Sequence, residues 1–208
     1  GAGNYDFWLV KVACSSTPYP WSMSHHDLSH TGYSKSPAPR TNQTLWNYTT
    51  EGAVVSSPTV ADGMVFVGST DGKVYALNQY TGEHVWEFTT GCFVFSSPAV
   101  ADGRVYVGSW DRKIYCLDAS TGALIWDFTT GCWVWSSPVV SDYKVYVGSW
   151  DRRVYCLDAS TGTHIWNFTT GGGVRSSPAI ADGKVYVGSN DGKVYCLDAS
   201  TGALIWSY

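Results

Sequence analysis

Short apolar runs alternate with turn residues along most of the chain, and the pattern repeats every forty residues. In the unit that ends at Gly131 the predicted strands are Ser97–Val100, Val105–Ser109, Lys113–Leu117 and Leu124–Thr129. Between them lie Asp102-Gly103, Asp111-Arg112 and Thr121-Gly122. Asp-Gly is a strong hairpin signal, because a two-residue β-turn needs positive φ. The run SSPAVADGRVYVGSWDRKIYCLDASTGALIWDFTTG recurs almost unchanged forty residues later, and its relatives begin at Ser56 and Ser176. Trp46, Trp86, Trp126, Trp166 and Trp206 fall in strict register. Four short antiparallel strands per forty residues predict a propeller blade. Helical repeats would need an apolar period of about 3.6 over ten or more residues, and no segment shows it.

The pattern predicts an all-β chain, a β-propeller of four-stranded antiparallel blades in four repeats. Residues 1–35 form an N-terminal strand and entry segment, and 36–208 carry the repeats, with blades at approximately 52–90, 91–130, 131–170 and 171–208. An extra outer strand, Thr44–Thr50, precedes the first complete unit.

Composition supports this class. The 11 Trp, 14 Tyr and 22 Gly among 208 residues, with 14% charged, describe a β-rich and turn-rich protein. A net charge of −4 argues against nucleic acid, which needs a basic stripe to displace counterions. No apolar run approaches the roughly 18–20 residues of a membrane span. The chain opens on Gly1 rather than Met, which suggests a processed or truncated form. Six cysteines without a C-x-x-C pair argue against structural zinc. Together with N-x-S/T sequons at Asn42, Asn47 and Asn167, they point to an oxidising setting, extracellular or at the cell surface.

The repeats carry a family likeness. ALNQYTGEHVW (Ala76–Trp86), CLDASTGALIW (Cys116–Trp126), CLDASTGTHIW (Cys156–Trp166) and CLDASTGALIW (Cys196–Trp206) resemble the tryptophan-docking motif A-x-D-x-x-T-G-x-x-x-W of PQQ-like, quinoprotein-type propellers. The segment WSMSHHDLSHTGYS (Trp21–Ser34) is similar to the stretch that precedes such propellers, so the resemblance covers about nine-tenths of the chain. It implies that each Trp wedges between neighbouring blades. Relatives usually close with seven or eight blades, whereas this chain shows four and a spare outer strand. The array is therefore expected to be open, completed by another copy, or cut from a longer gene.

The resemblance also raises the chemistry of PQQ-dependent dehydrogenases, which use a catalytic Asp, calcium ligands and often vicinal cysteines. This chain has no vicinal Cys pair, and Asp71, Asp111, Asp151 and Asp191 recur in every unit as turn residues. A residue that every hairpin requires is poor evidence for catalysis. Calcium needs six to eight converging oxygens, which these turns do not assemble. No catalytic residue, metal ligand or cofactor is assigned. His25, His26 and His30 with Asp27 form the only histidine cluster, read as a loop that packs on the ring. His84 and His164 share a repeat position with Leu124 and Leu204, which marks a partly apolar packing site.

The blades differ from one another at one place. The loop entering the first strand and the loop between the second and third strands should emerge on one face. There blade two carries Phe93, Phe95, Trp110 and Arg112, and blade three carries Trp133, Trp135, Trp150 and Arg152. Blade one has Ala53, Val55, Thr70 and Gly72, and blade four has Gly173, Arg175, Asn190 and Gly192. Folding does not demand the aromatics, so these eight side chains form the candidate contact surface.

The cysteines suggest a disulfide framework. Cys92 with Cys116 and Cys132 with Cys156 are present together in two blades, whereas blade one has Gly52 and Ala76 there. Cys14 and Cys196 are left over and pair by elimination, within a chain or between chains. The sequence is thus read as a non-enzymatic, secreted or cell-surface propeller. Its expected partner is itself, in an oligomer or filament, or another surface protein. A carbohydrate or small-ligand binder is the alternative, and a fragment of a PQQ enzyme the third reading.

Overall fold

The computed structural model describes residues 43–208, and every described element is a β-strand. Blade one comprises β1 (Thr59–Ala61), β2 (Met64–Gly68), β3 (Lys73–Asn78) and β4 (His84–Thr89). Blade two comprises β5 (Ala99–Ala101), β6 (Arg104–Gly108), β7 (Lys113–Asp118) and β8 (Leu124–Thr129). Blade three comprises β9 (Val139–Ser141), β10 (Lys144–Gly148), β11 (Arg153–Asp158) and β12 (His164–Thr169). Blade four comprises β13 (Ala179–Ala181), β14 (Lys184–Gly188), β15 (Val194–Asp198) and β16 (Leu204–Ser207). Each blade is a four-stranded antiparallel meander in chain order, and the first strands β1, β5, β9 and β13 neighbour one another in sequence. The architecture is an open β-propeller. Among the described residues no helix is long and apolar enough to cross a membrane.

The extra outer strand expected at Thr44–Thr50 is not formed, since residues 43–50 pair with no strand of the four described sheets. Within the four units the predicted strands fall where the pattern put them, except that the innermost one is shorter. Ser97 and Pro98 lie outside β5, because the Ser97 N–H is used between blades rather than within one. It donates to Ser137 Oγ at 2.9 Å, just as Ser57 N–H donates to Ser97 Oγ at 2.8 Å and Ser137 N–H to Ser177 Oγ at 3.0 Å. The preceding serine works inside the blade, where Ser96 Oγ accepts from Gly108 N–H at 3.1 Å. The Ser-Ser-Pro signature thus ties each inner strand first to its own sheet and then to its neighbour.

The core lies between blades. One cluster joins Phe66, Val74 and Trp86 of blade one to Val105, Val107 and Leu117 of blade two, and equivalent clusters follow at the next two junctions. A register shift between Cys116 and Leu117 places a bulge in each outer strand. It leaves Ile125 outside and turns Trp126 inward toward the next blade. There the Trp126 indole donates to the Ala159 carbonyl at 3.1 Å and lies on Gly162. Gly162 has φ +71°, and a Cβ there would approach the indole ring to 2.6 Å. Both the turn and the close approach exclude a larger residue. Trp46, Trp86 and Trp166 repeat this seat on Gly82, Gly122 and Gly202.

The repeated aspartates are structural. Asp111 accepts from Lys113 N–H at 2.9 Å, from the Tyr115 hydroxyl at 2.6 Å and from Gly91 N–H at 2.7 Å, which latches the preceding outer strand to the blade. Asp71, Asp151 and Asp191 hold the same three kinds of donor. At Asp191 the Tyr195 hydroxyl, ahead of the backbone donors, keeps the carboxyl below its ordinary range. His84 and His164 stack on Tyr48 and Phe128 of the preceding outer segment, with ring centroids 6.1 Å apart in both pairs.

The described cysteines do not form the expected bridges. Cys92, Cys116, Cys132, Cys156 and Cys196 are free thiols. The reason is their level in the blade. The Cys92 carbonyl sits beside Ser109 at the end of the second strand, whereas Cys116 is paired with Tyr106 in its middle. The same offset separates Cys132, beside Ser149, from Cys156, opposite Tyr146. Cys14, Asn42 and the His25, His26, His30 and Asp27 cluster lie outside the described residues. Burial pushes the Cys116 and Cys156 thiols up to about 12. In native protein a maleimide should therefore modify Cys92 and Cys132 quickly, and Cys116, Cys156 and Cys196 only after unfolding. Peptide mapping checks this, and a Cys92–Cys116 or Cys132–Cys156 bridge in the map would contradict it.

Candidate functional site

The two loops predicted to share a face are hydrogen-bonded side by side in every blade. Trp110 N–H donates to the Phe93 carbonyl and Trp150 N–H to the Trp133 carbonyl, both at 2.9 Å. Thr70 with Ala53 and Asn190 with Gly173 repeat the contact in blades one and four. The substitutions that distinguish the blades therefore lie on one surface, near the entrances to the inner strands.

On that surface the aromatic side chains of blades two and three form continuous stacks. Phe95 lies parallel to Trp135, with centroids 4.8 Å apart and planes at 14°. The Arg175 guanidinium covers the Trp135 ring at 4.0 Å and reaches the Trp150 ring at 5.6 Å. Phe95, Trp135 and Arg175 occupy one repeat position in three successive blades, so the column advances one rung per blade. A second stack runs beside it. Trp110 packs on Trp133 at 4.8 Å and 10°, with Phe93 at 5.8 Å on its flank. Trp110 also meets Phe95 at 4.7 Å and Trp135 at 5.0 Å, which joins the two stacks. Phe93 and Trp133 remain 44% and 43% exposed, so the cluster is a surface and not a closed core.

Arg175 was not among the residues singled out from sequence. Its only signal was register: it follows Val55, Phe95 and Trp135 by forty-residue steps. A cation at the end of an aromatic column has the chemistry of a cation–π contact.

Two further features set the cluster apart. Arg112 and Arg152 have φ +75° and +74°, where blades one and four use Gly72 and Gly192. A left-handed conformation costs a residue with a Cβ about 1–2 kcal/mol. Both arginines are exposed, and neither makes an ion pair among the described residues. The second feature is the Trp110 indole, whose buried Nε1–H meets no acceptor among the described residues. An orphaned donor of this kind costs about 1–3 kcal/mol. Both features lie on the surface where blades two and three differ from blades one and four.

The repeated aspartates do not converge on a calcium site. Each repeated aspartate is engaged by backbone and tyrosine donors, and among the described residues no three His, Cys, Asp or Glu side chains converge as metal ligands.

Comparison with known proteins accords with this architecture. A family model of PQQ-like type, described as outer membrane protein assembly factor BamB, matches residues 38–92 and 90–208. The chain belongs to this PQQ-like repeat family. No curated protein matches it in sequence. Among solved structures, BamB from Moraxella catarrhalis is 21% identical, with a TM-score of 0.64 over 79% of this chain and 64% of its own. The quinohemoprotein alcohol dehydrogenase of Comamonas testosteroni is 21% identical, with a TM-score of 0.77 over 91% of this chain and 41% of its own. A europium-containing methanol dehydrogenase is 19% identical, with a TM-score of 0.75 over 93% of this chain and 49% of its own. This PQQ-like chain thus spans less than two thirds of each of these structures, and at such identities the likeness is one of fold.

Proposed function

We propose that the chain is a non-enzymatic propeller module that binds a protein partner through the aromatic and arginine surface of blades two and three. The observation that carries this reading is the exposed stack of aromatic rings from blades two and three, closed by the Arg175 guanidinium, with Arg112 and Arg152 held at positive φ in the loops that carry Trp110 and Trp150. Tryptophan and arginine dominate interface hot spots because they bury large area with few rotatable bonds. The PQQ-like family includes both a protein described as an assembly factor and dehydrogenases, so the fold alone does not choose between them. The occupied aspartates favour the contact role.

The proposed location is outside the cell or on its surface. The exposed sequon asparagines Asn47 and Asn167 support it, whereas the free thiols withdraw the cysteine part of that argument. Carbohydrate is a second candidate partner. It is favoured by Trp133, whose ring rests on Trp110 and is 43% exposed, as a sugar platform would be.

Quantitative cross-linking of the chain to its native partner tests the reading. Trp133→Ser should lower recovery at least about tenfold. Tyr143→Gly, in the β9–β10 turn at the opposite end of blade three, should leave it unchanged. Retention by a glycan array that Trp133→Ser abolishes would move the assignment to carbohydrate. Stoichiometric uptake of PQQ with calcium and substrate-dependent dye reduction would overturn it.

A further inference from the structure

The two ends of the described array are complementary halves of one interface. At the first internal junction Phe66 stands at the tyrosine position and Trp86 alone addresses the Ala119 carbonyl. At the second and third the leading blade supplies the same side-chain donors. A Trp on its outer strand and a Tyr on its second strand address one carbonyl of the next blade: Ala159 accepts from Trp126 at 3.1 Å and Tyr106 at 3.0 Å, and Ala199 from Trp166 and Tyr146 at 3.1 Å each. A serine N–H near its inner strand addresses the next serine hydroxyl. Blade four carries this whole donor set in Trp206, Tyr186 and Ser177, and no described blade follows it. Its outward face is correspondingly open. Trp206 is 45% exposed, against 7–9% for Trp86, Trp126 and Trp166. Val194 is 45% exposed, whereas Val74, Ile114 and Val154 in the same position are fully buried.

Blade one carries the acceptor set: Gly82, the Gln79 carbonyl and the exposed Ser57. Its tryptophan seat is filled by Trp46, but on different terms from the other junctions. Trp86, Trp126 and Trp166 stand on outer strands of complete sheets, while residues 43–50 belong to no sheet. The Trp46 indole donates to the Gln79 carbonyl at 3.2 Å, the longest of the four such bonds. Trp206 is presented by β16, paired through Trp206 and Cys196 in a four-stranded sheet.

We propose that blade four docks on blade one of a second copy of this chain, with Trp206 taking the Gly82 seat and displacing Trp46. The inference goes beyond the proposed function and rests on surfaces other than the aromatic face. Trp206 brings its strand already ordered, so less freedom is lost on docking than for the sheetless segment around Trp46. Trp46 holds the advantage of being tethered to the same chain, which makes the exchange concentration-dependent. Such a head-to-tail contact closes into a ring or extends as a filament according to its rotation.

Sedimentation and native mass measurements on the 208-residue chain test this, with particles expected at integer multiples of 22.7 kDa whose share rises with concentration. Trp206→Ala should weaken association at least about tenfold without unfolding the monomer, since that indole is already half-exposed. Trp46→Ala should strengthen association by a similar factor, because it removes the competitor. Val194→Glu blocks the same face without touching either tryptophan and should give monomers. Assembly is read by mass and partner binding by cross-linking, and Tyr143→Gly, in an exposed turn away from both surfaces, should leave both unchanged, so a failed partner assay and a failed assembly are distinguishable. A chain that stays monomeric at all concentrations overturns the proposal, as does a parallel loss in Trp46→Ala and Trp206→Ala. A monomer whose Trp206 is protected from oxidation overturns it too, since its own chain then covers the face.

Discussion

Trp126→Ala should destabilise the chain by about 3–5 kcal/mol, because the deleted indole is the wedge between blades two and three. The loss has two parts. A large apolar ring leaves a junction too rigid to collapse around the cavity, and the Ala159 carbonyl keeps only the Tyr106 hydroxyl as a side-chain donor. Gly162→Val attacks the same junction from the other side. Its Cβ would fall 2.6 Å from the Trp126 ring, and its φ of +71° is strained for a β-branched residue. The single variant should lose more than about 3 kcal/mol, from overpacking together with backbone strain. In a Trp126→Ala background the steric part vanishes and only the backbone part remains, so the two changes should be less than additive. Urea unfolding of the four proteins measures this cycle. Strict additivity would show that the indole and the glycine do not form one seat. Trp206→Ala provides the internal contrast, since the same residue type in the same register should cost the isolated chain less than about 1 kcal/mol.

The blade was legible from sequence because each of its rules is local. Asp-Gly marks the first hairpin, alternation marks the strands, and a forty-residue period repeats every residue of the junction. The seat of the tryptophan was also legible through the T-G-x-x-x-W spacing, although not the bulge at Ile125 that aims the indole. What failed was inference across levels of the sheet. Cys92 and Cys116 appear together in a blade, but co-occurrence carries no information on height along a strand, and they lie at different heights. The eight contact residues were found by comparing blades, and the structure brings their six rings into joined stacks or onto the shared guanidinium of Arg175. Arg175 was passed over because the rest of its blade carries Gly173, Asn190 and Gly192 at these positions, although its own position is that of Phe95 and Trp135. The strain at Arg112 and Arg152 was half-visible: Gly72 and Gly192 mark a position that wants positive φ, and an arginine there departs from it.

That departure gives a prediction in which stability and binding move in opposite directions. Replacing Arg112 and Arg152 by glycine restores the residue that blades one and four use at φ +86° and +83°. Each change should raise stability by about 1 kcal/mol, somewhat less than the full strain because glycine also gains freedom in the unfolded chain. If the arginines served the fold, the double variant would lose stability; as exposed side chains with no ion pair among the described residues, they have little there to lose. Binding should fall instead. An exposed guanidinium on the same face as the rings offers an interface both charge and a flat surface, and removal of two such groups should weaken the partner complex about thirtyfold or more. Trp135→Ala should weaken it as strongly but with a loss of stability, because Trp135 is clamped between Phe95 and Arg175. Thermal denaturation and partner titration on the same three proteins separate these cases. A double glycine variant that is more stable and binds as well as the parent would show that the arginines are neutral decoration, and the contact surface would then lose its strongest support.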